Sequence, residues 1–116
     1  MAPQTGEHAY YHPSDLARFP AIAEHASELG EKFFAWYGAV FADGALSARE
    51  KSLIALGVAF AVQCPYCIEA YTKDGLSKGC DEEQLTEVAH VAAAIRGGAS
   101  LVHGMQMRRT ADELGM

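Results

Sequence analysis

The chain has 116 residues, half of them hydrophobic and 21% charged, which suits one folded domain and excludes a disordered chain. Nine basic against fifteen acidic residues give a formal charge of −6, and an acidic surface repels phosphate backbones, so nucleic acid is not an expected partner. The charge-free run Leu53 to Ile68 is broken by Gln63 and Pro65 and falls short of the roughly 20 apolar residues of a membrane span.

Residues 1–13 are polar, with Pro3, Gly6 and Pro13, and read as a flexible arm whose end Tyr10 and Tyr11 could pin to a neighbouring surface. A single helical domain is expected over 14–116. The first residues carry neither a basic region nor an apolar stretch, so no export signal is visible, and three cysteines do not fit a secreted disulfide scaffold. A reducing cytoplasm is the expected compartment.

Ser14 to Ala17 forms a short first turn, and Pro20 suits the start of a second short helix reaching Ala26. Ser27 is the expected N-cap of the next helix, in which Leu29, Phe33, Trp36, Tyr37, Val40 and Phe41 recur with a period near 3.6. Asp43-Gly44 ends it. Ser47-Ala48-Arg49-Glu50 matches a capping box. The helix behind it is apolar all round from Leu53 to Val62, so it is either the centre of the domain or shared with another subunit. Pro65 opens a helix running to about Ser77, closed by Gly79. Asp81-Glu82-Glu83-Gln84 is a second box-like start, followed by the stripe Leu85, Val88, Ala89, Ala92 and Ile95. Gly97-Gly98 is expected to break this helix, with a last one from Ser100 to Leu114. No segment alternates with period two. The reading is all-α, a bundle of about six helices, two of them short.

Cys64-Pro65-Tyr66-Cys67 is the strongest chemical signal. Two thiols three residues apart at a helix start can close a small disulfide ring, and the positive helix terminus favours thiolate, the form that attacks peroxides and disulfides. A sulfenic acid formed on one cysteine can be captured by the other. Two other readings are open: half a zinc site, completed by Cys80 with His90 or His103, and inert buried thiols. The tetrapeptide is that of glutaredoxins, but those place it after a β-strand, and here a helix precedes it.

Ala48 to Gly57, leading into Gln63 to Tyr71, and the later Ala92 to Ala99, resemble the AhpD-like, carboxymuconolactone decarboxylase superfamily. The resemblance covers about residues 30–107 and is nearest to the arsenosugar-biosynthesis-associated peroxidase-like subgroup. It implies an AhpD-like, single-repeat all-helical fold assembled as a homo-oligomer, a trimer or hexamer. It also implies alkylhydroperoxidase activity, with Cys67 the peroxide-reactive cysteine and Cys64 its partner. Helix-terminus reasoning alone does not impose that order and leans toward Cys64. The family's glutamate, twelve residues before the first cysteine, is Ser52 here. Its histidine four residues after the second cysteine is Tyr71, and the histidine between the cysteines is Tyr66. A Glu–His proton relay therefore does not carry over. Glu50, Glu69 or a group from another subunit could serve, with Tyr71 and Tyr66 as hydrogen-bond donors. Glu50 also has the cap to make.

Of the rest, His90 and His103 are relay candidates or structural histidines, and Cys80 reads as incidental and exposed. Met105 and Met107 with Val102 read as packing, and Arg108-Arg109 as a solvated pair. The expected function is a thiol-dependent peroxidase taking a hydroperoxide and a thiol reductant, with no cofactor or metal. The alternative is a non-enzymatic binder of a small ligand or of trivalent arsenic through the paired thiols.

Overall fold

A computed structural model describes residues 11–115. Five α-helices and one 3-10 turn follow in order: α1 (Pro13–Ala17), the turn (Phe19–Ala23), α2 (Ser27–Phe41), α3 (Ala48–Val62), α4 (Pro65–Ser77) and α5 (Glu82–Glu113). No strand occurs among the described residues. Tyr10 and the rest of 1–10 lie outside them, and α1 begins at Pro13, inside the stretch read as an arm.

The helix ends follow local chemistry, with two corrections. Ser27 does not cap α2: it is the first helical residue, and Ala26 precedes it without a side-chain cap. The other end of α2 is held by Lys51, whose Nζ donates to the Ala42 carbonyl at 2.6 Å. The second correction is α5, which runs unbroken through Gly97-Gly98 for 32 residues. Two glycines cost about 1 kcal/mol each in a helix interior but supply no stop, which needs a left-handed residue, a proline or a competing cap. Neither takes a positive φ.

Both capping boxes form. Ser47 Oγ accepts the Glu50 N–H at 3.0 Å while Glu50 accepts the Ser47 N–H at 2.9 Å. Asp81 and Gln84 repeat the pattern at 2.8 and 2.9 Å. Gly79, at φ +87°, closes α4, and the Cys80 N–H donates back to the Gly75 carbonyl.

The core lies where α3 packs on α4 and α5. Leu56, Cys80 and Leu85 are buried there, with Leu53, Phe60, Ile68, Tyr71 and Val88 against them. Cys80 is thus a core residue, 5% exposed, and not the exposed thiol its position after Gly79 suggested. A free cysteine packs as a small hydrophobe, and the turn of chain behind Gly79 folds it inward. Ile54, Val58 and Val62, on the opposite face of α3, are more than half exposed. So are Val91, Ile95, Leu101, Val102, Met105 and Met107 along α5.

Candidate redox site

The junction of α3 and α4 builds the site. Gln63 ends α3 in the left-handed region, φ +60° and ψ +49°, and the Cys64 N–H reaches back to the Ala59 carbonyl. This reversal puts Cys64 at the N-cap of α4, with Pro65 in the first turn. Cys64 Sγ accepts the Cys67 N–H at 3.3 Å, the bond a serine or aspartate makes at other helix starts. The two sulfurs are free and 2.8 Å apart.

Either thiol can donate across that gap. Burial first, then the hydrogen bond to Cys64 and its charge, push the Cys67 thiol from 9.0 up to about 11. The proton is therefore held firmly on Cys67.

Two cavities meet at Cys67. One, of about 470 Å³, lies between α2, α3 and α4 and is walled by Val40, Phe41, Leu46, Ile54, Val58 and Val62. The other, of about 400 Å³, lies under α1 and the 3-10 turn and is walled by Asp15, Leu16, Phe19, Cys64 and Tyr66. Cys67, Tyr37 and Tyr71 line both.

Tyr71 stands one turn beyond Cys67 on the same face of α4, as the sequence spacing required. Its hydroxyl is hydrogen-bonded to that of Tyr37 from α2. Tyr37 and Phe41 are one turn apart, 4.9 Å between centroids, and Phe41 stacks on Tyr71 at 5.2 Å, so the rings clamp the phenols together. Burial, then the charges of Cys67, Cys64 and Asp74, push the Tyr37 phenol above its ordinary value. Tyr37 was read from sequence only as part of an apolar stripe. The signal that could have found it is its polar tip within that stripe, since a buried tyrosine hydroxyl needs a partner.

Tyr66 lines the second cavity, but its hydroxyl donates to Asp15 Oδ2 at 3.3 Å and its ring meets Tyr11 edge-on. Burial and the Asp15 charge raise its pKa. Glu50 is not brought to the cysteines. It stays exposed in its cap, where the Ser47 backbone and hydroxyl hold its carboxyl below the usual range. It is twelve residues, about 18 Å of helix, from the far end of α3. Glu69 is paired with Lys73 at 3.5 Å. His90 and His103 are exposed on α5, which lines neither cavity. Among the described residues no three His, Cys, Asp or Glu side chains gather as metal ligands would.

Residues 27–108 match the carboxymuconolactone decarboxylase family. The chain is a member of that family. It is 37% identical over 102 residues to "Uncharacterized protein 4 in cox locus" of Paracoccus denitrificans, covering 88% of this chain and 92% of that one. A crystal structure of a protein from Methanobacterium thermoautotrophicum superposes with a TM-score of 0.71 at 34% identity, over 74% of this chain and 97% of the other. The apo crystal structure of a carboxymuconolactone decarboxylase family protein from Legionella pneumophila gives 0.65 at 29% identity, over 78% and 86%. The all-helical architecture expected from the sequence is thus the family's. No helix among the described residues is long and apolar enough to cross a membrane.

The position of the expected glutamate holds Ser52, fully buried and close enough to Asp74 to help hold that carboxyl below the usual range, as Lys78 does more strongly. Gly75 packs beside it: a Cβ there would lie 3.7 Å from Ser52 Oγ and 3.2 Å from Leu85.

Proposed function

We propose that this protein is a thiol peroxidase that reduces hydroperoxides through the Cys64–Cys67 pair. The observation that supports the reading most is the placing of two free sulfurs 2.8 Å apart at a helix start, one of them on the wall of an apolar cavity. Cys67 Sγ attacks the terminal oxygen of the hydroperoxide. An S–O bond forms, the O–O bond breaks, and an alkoxide leaves, which takes up a proton to become the alcohol. The Cys67 proton passes to the Cys64 thiolate across the short gap. Cys64 then attacks the sulfenic acid, so that an S–S bond forms, the S–O bond breaks and water is released. An external dithiol restores the pair by exchange and is itself oxidised to a disulfide. What supports Cys67 as the attacking sulfur, besides the family resemblance, is its place on the walls of both cavities, whereas Cys64 lines only one.

The protein acts as a homo-oligomer, a trimer or hexamer in keeping with its family. What supports this is surface area. The chain exposes 8922 Å² at 12.4 kDa, whereas a compact monomer of that mass exposes about 6,100 Å². Its radius of gyration is 19.2 Å, against about 13 Å for a globular chain of the same length. An excess of about 2,800 Å² is enough for more than one interface of standard size, at about 800 Å² per partner. The uncovered apolar faces of α3 and α5 offer surface for such interfaces.

Thiol counting tests the peroxidase reading. One equivalent of an organic hydroperoxide is expected to lower the free thiols from three to one, reversibly with dithiol, and Cys67→Ser is expected to abolish the loss. Three thiols surviving excess peroxide would overturn it, and a stoichiometric complex with trivalent arsenic without peroxide consumption would favour a binder instead.

A further inference from the structure

Reduction of a hydroperoxide leaves a proton to be accounted for. The leaving alkoxide is strongly basic, and in an apolar cavity it needs a donor in place. The carboxylates at this end of the molecule are engaged: Glu69 by Lys73, Asp74 by Lys78, and Asp15 by Tyr66. Lys51 reaches into the first cavity but spends its ammonium on the Ala42 carbonyl. Tyr37 and Tyr71 differ from these. Their hydroxyls are bonded to each other, and both residues line both cavities with Cys67.

We infer that the Tyr37–Tyr71 pair is the general acid of the peroxidase reaction, donating a proton to the alkoxide as the O–O bond breaks. This rests on the peroxidase reading above. Two hydroxyls carry two hydrogens, and one bridges the pair, which leaves the second free to point at an oxygen beside Cys67. A phenol gives a proton downhill to an alkoxide even where burial raises it, as at Tyr37, although it makes a poor base at neutral pH. The missing Glu–His relay is then not a defect. The acid is the phenol pair, and the base is the neighbouring sulfur. The proton count closes. Cys67 passes its proton to Cys64 as it attacks. The phenol gives its proton to the alkoxide and recovers one from Cys64. Cys64, again a thiolate, displaces hydroxide from the sulfenic acid, and solvent protonates the hydroxide to water. The clamping rings of Phe41 and Phe33 fix the pair, with Phe33 5.5 Å from Tyr37 between centroids.

The test uses leaving groups. Tyr37→Phe, Tyr71→Phe and the double variant keep the rings and remove only the hydroxyls, and far-UV circular dichroism checks the fold. Single-turnover thiol loss is followed with tert-butyl hydroperoxide, which releases an alkoxide, and with peracetic acid, which releases acetate and needs no proton. The double variant is expected to lose about a hundredfold with tert-butyl hydroperoxide and less than about threefold with peracetic acid, with each single variant between. Equal losses on both oxidants would mean that the hydroxyls only hold the structure, and no loss on either would mean that solvent supplies the proton. Each result overturns the inference. A wild-type protein inert to tert-butyl hydroperoxide before any substitution would instead remove the peroxidase reading itself, and this inference with it.

Discussion

The raised Cys67 thiol gives the sharpest prediction about reactivity. At an ordinary 9.0 about one thiol in a hundred is ionised at pH 7, and at about 11 about one in ten thousand. Iodoacetamide reacts with thiolate. At pH 7 Cys67 is therefore expected to label at about a hundredth of the rate of an ordinary thiol. Tandem mass spectrometry distinguishes its adduct from one on Cys64, because fragmentation between them assigns the mass. Labelling at Cys67 should then climb about tenfold per pH unit until about pH 11. Two of the three causes of the shift come from Cys64, so Cys64→Ala lowers the Cys67 pKa toward what burial alone sets, and Cys67 labels faster at pH 8 in that variant. The linkage has a definite sign. A thiol whose folded pKa lies above 9.0 favours the fold below that pH, and this contribution is lost as pH rises from 9.0 toward about 11. Cys67 labelling at pH 7 as fast as an ordinary thiol, or unchanged labelling in Cys64→Ala, would refute the reasoning.

Three further outcomes follow from the packing. Gly30→Ala is expected to destabilise by about 1–2 kcal/mol in urea unfolding, although alanine gains about 1 kcal/mol of helix propensity, because the new Cβ falls 2.3 Å from Ala23 Cβ and 2.8 Å from its Cα. Stabilisation there would show that the 3-10 turn does not press on α2. Gln63→Gly should raise stability by about 0.5–1 kcal/mol, since its left-handed backbone suits a residue without a Cβ, with thiol reactivity unchanged within about twofold. A lower melting temperature would count against the strain. Ile95→Asp, in the groove of about 630 Å³ between α3 and α5, should lower the mass found by light scattering. On an isolated chain the same change at a 70% exposed position would move stability by only about 0.5 kcal/mol and leave the mass alone.

How much was legible in the sequence divides along a physical line. Local chemistry could be read directly. The boxes at Ser47 and Asp81, the turn at Gly79 and the proline opening α4 depend on atoms within four residues, and all formed. The Ser27 and Gly97-Gly98 readings misjudged how much weight a single local signal carries. A serine caps only where the backbone leaves the helix at that residue, and here it leaves at Ala26. A glycine pair weakens a helix without ending it when strong helix formers lie on both sides. Cys80 and Tyr37 were illegible for another reason. Whether a side chain is buried in a core or paired with another hydroxyl is decided by a partner helix far along the chain. The pairing of Tyr37 with Tyr71 spans 34 positions, and no spacing rule reaches that far.

On the proposed reading, the same distinction explains how the site could work without the carboxylate and imidazole that the family resemblance implies. A long relay is needed when the attacking sulfur has no base beside it. Here the sulfur that holds the proton and the sulfur that takes it are 2.8 Å apart, and the helix start that presents Cys64 also gives it the Cys67 N–H. The base is thus supplied by four consecutive residues, Cys64 to Cys67. Only the acid has to come from elsewhere in the fold. Tyr71 can bring it from the next turn of the same helix, provided α2 holds Tyr37 against it. On that reading the residue that matters for chemistry on the α2 side is a tyrosine in an apolar stripe. The exposed remainder of that stripe, Leu29 and Trp36, adds to the open apolar faces of α3 and α5.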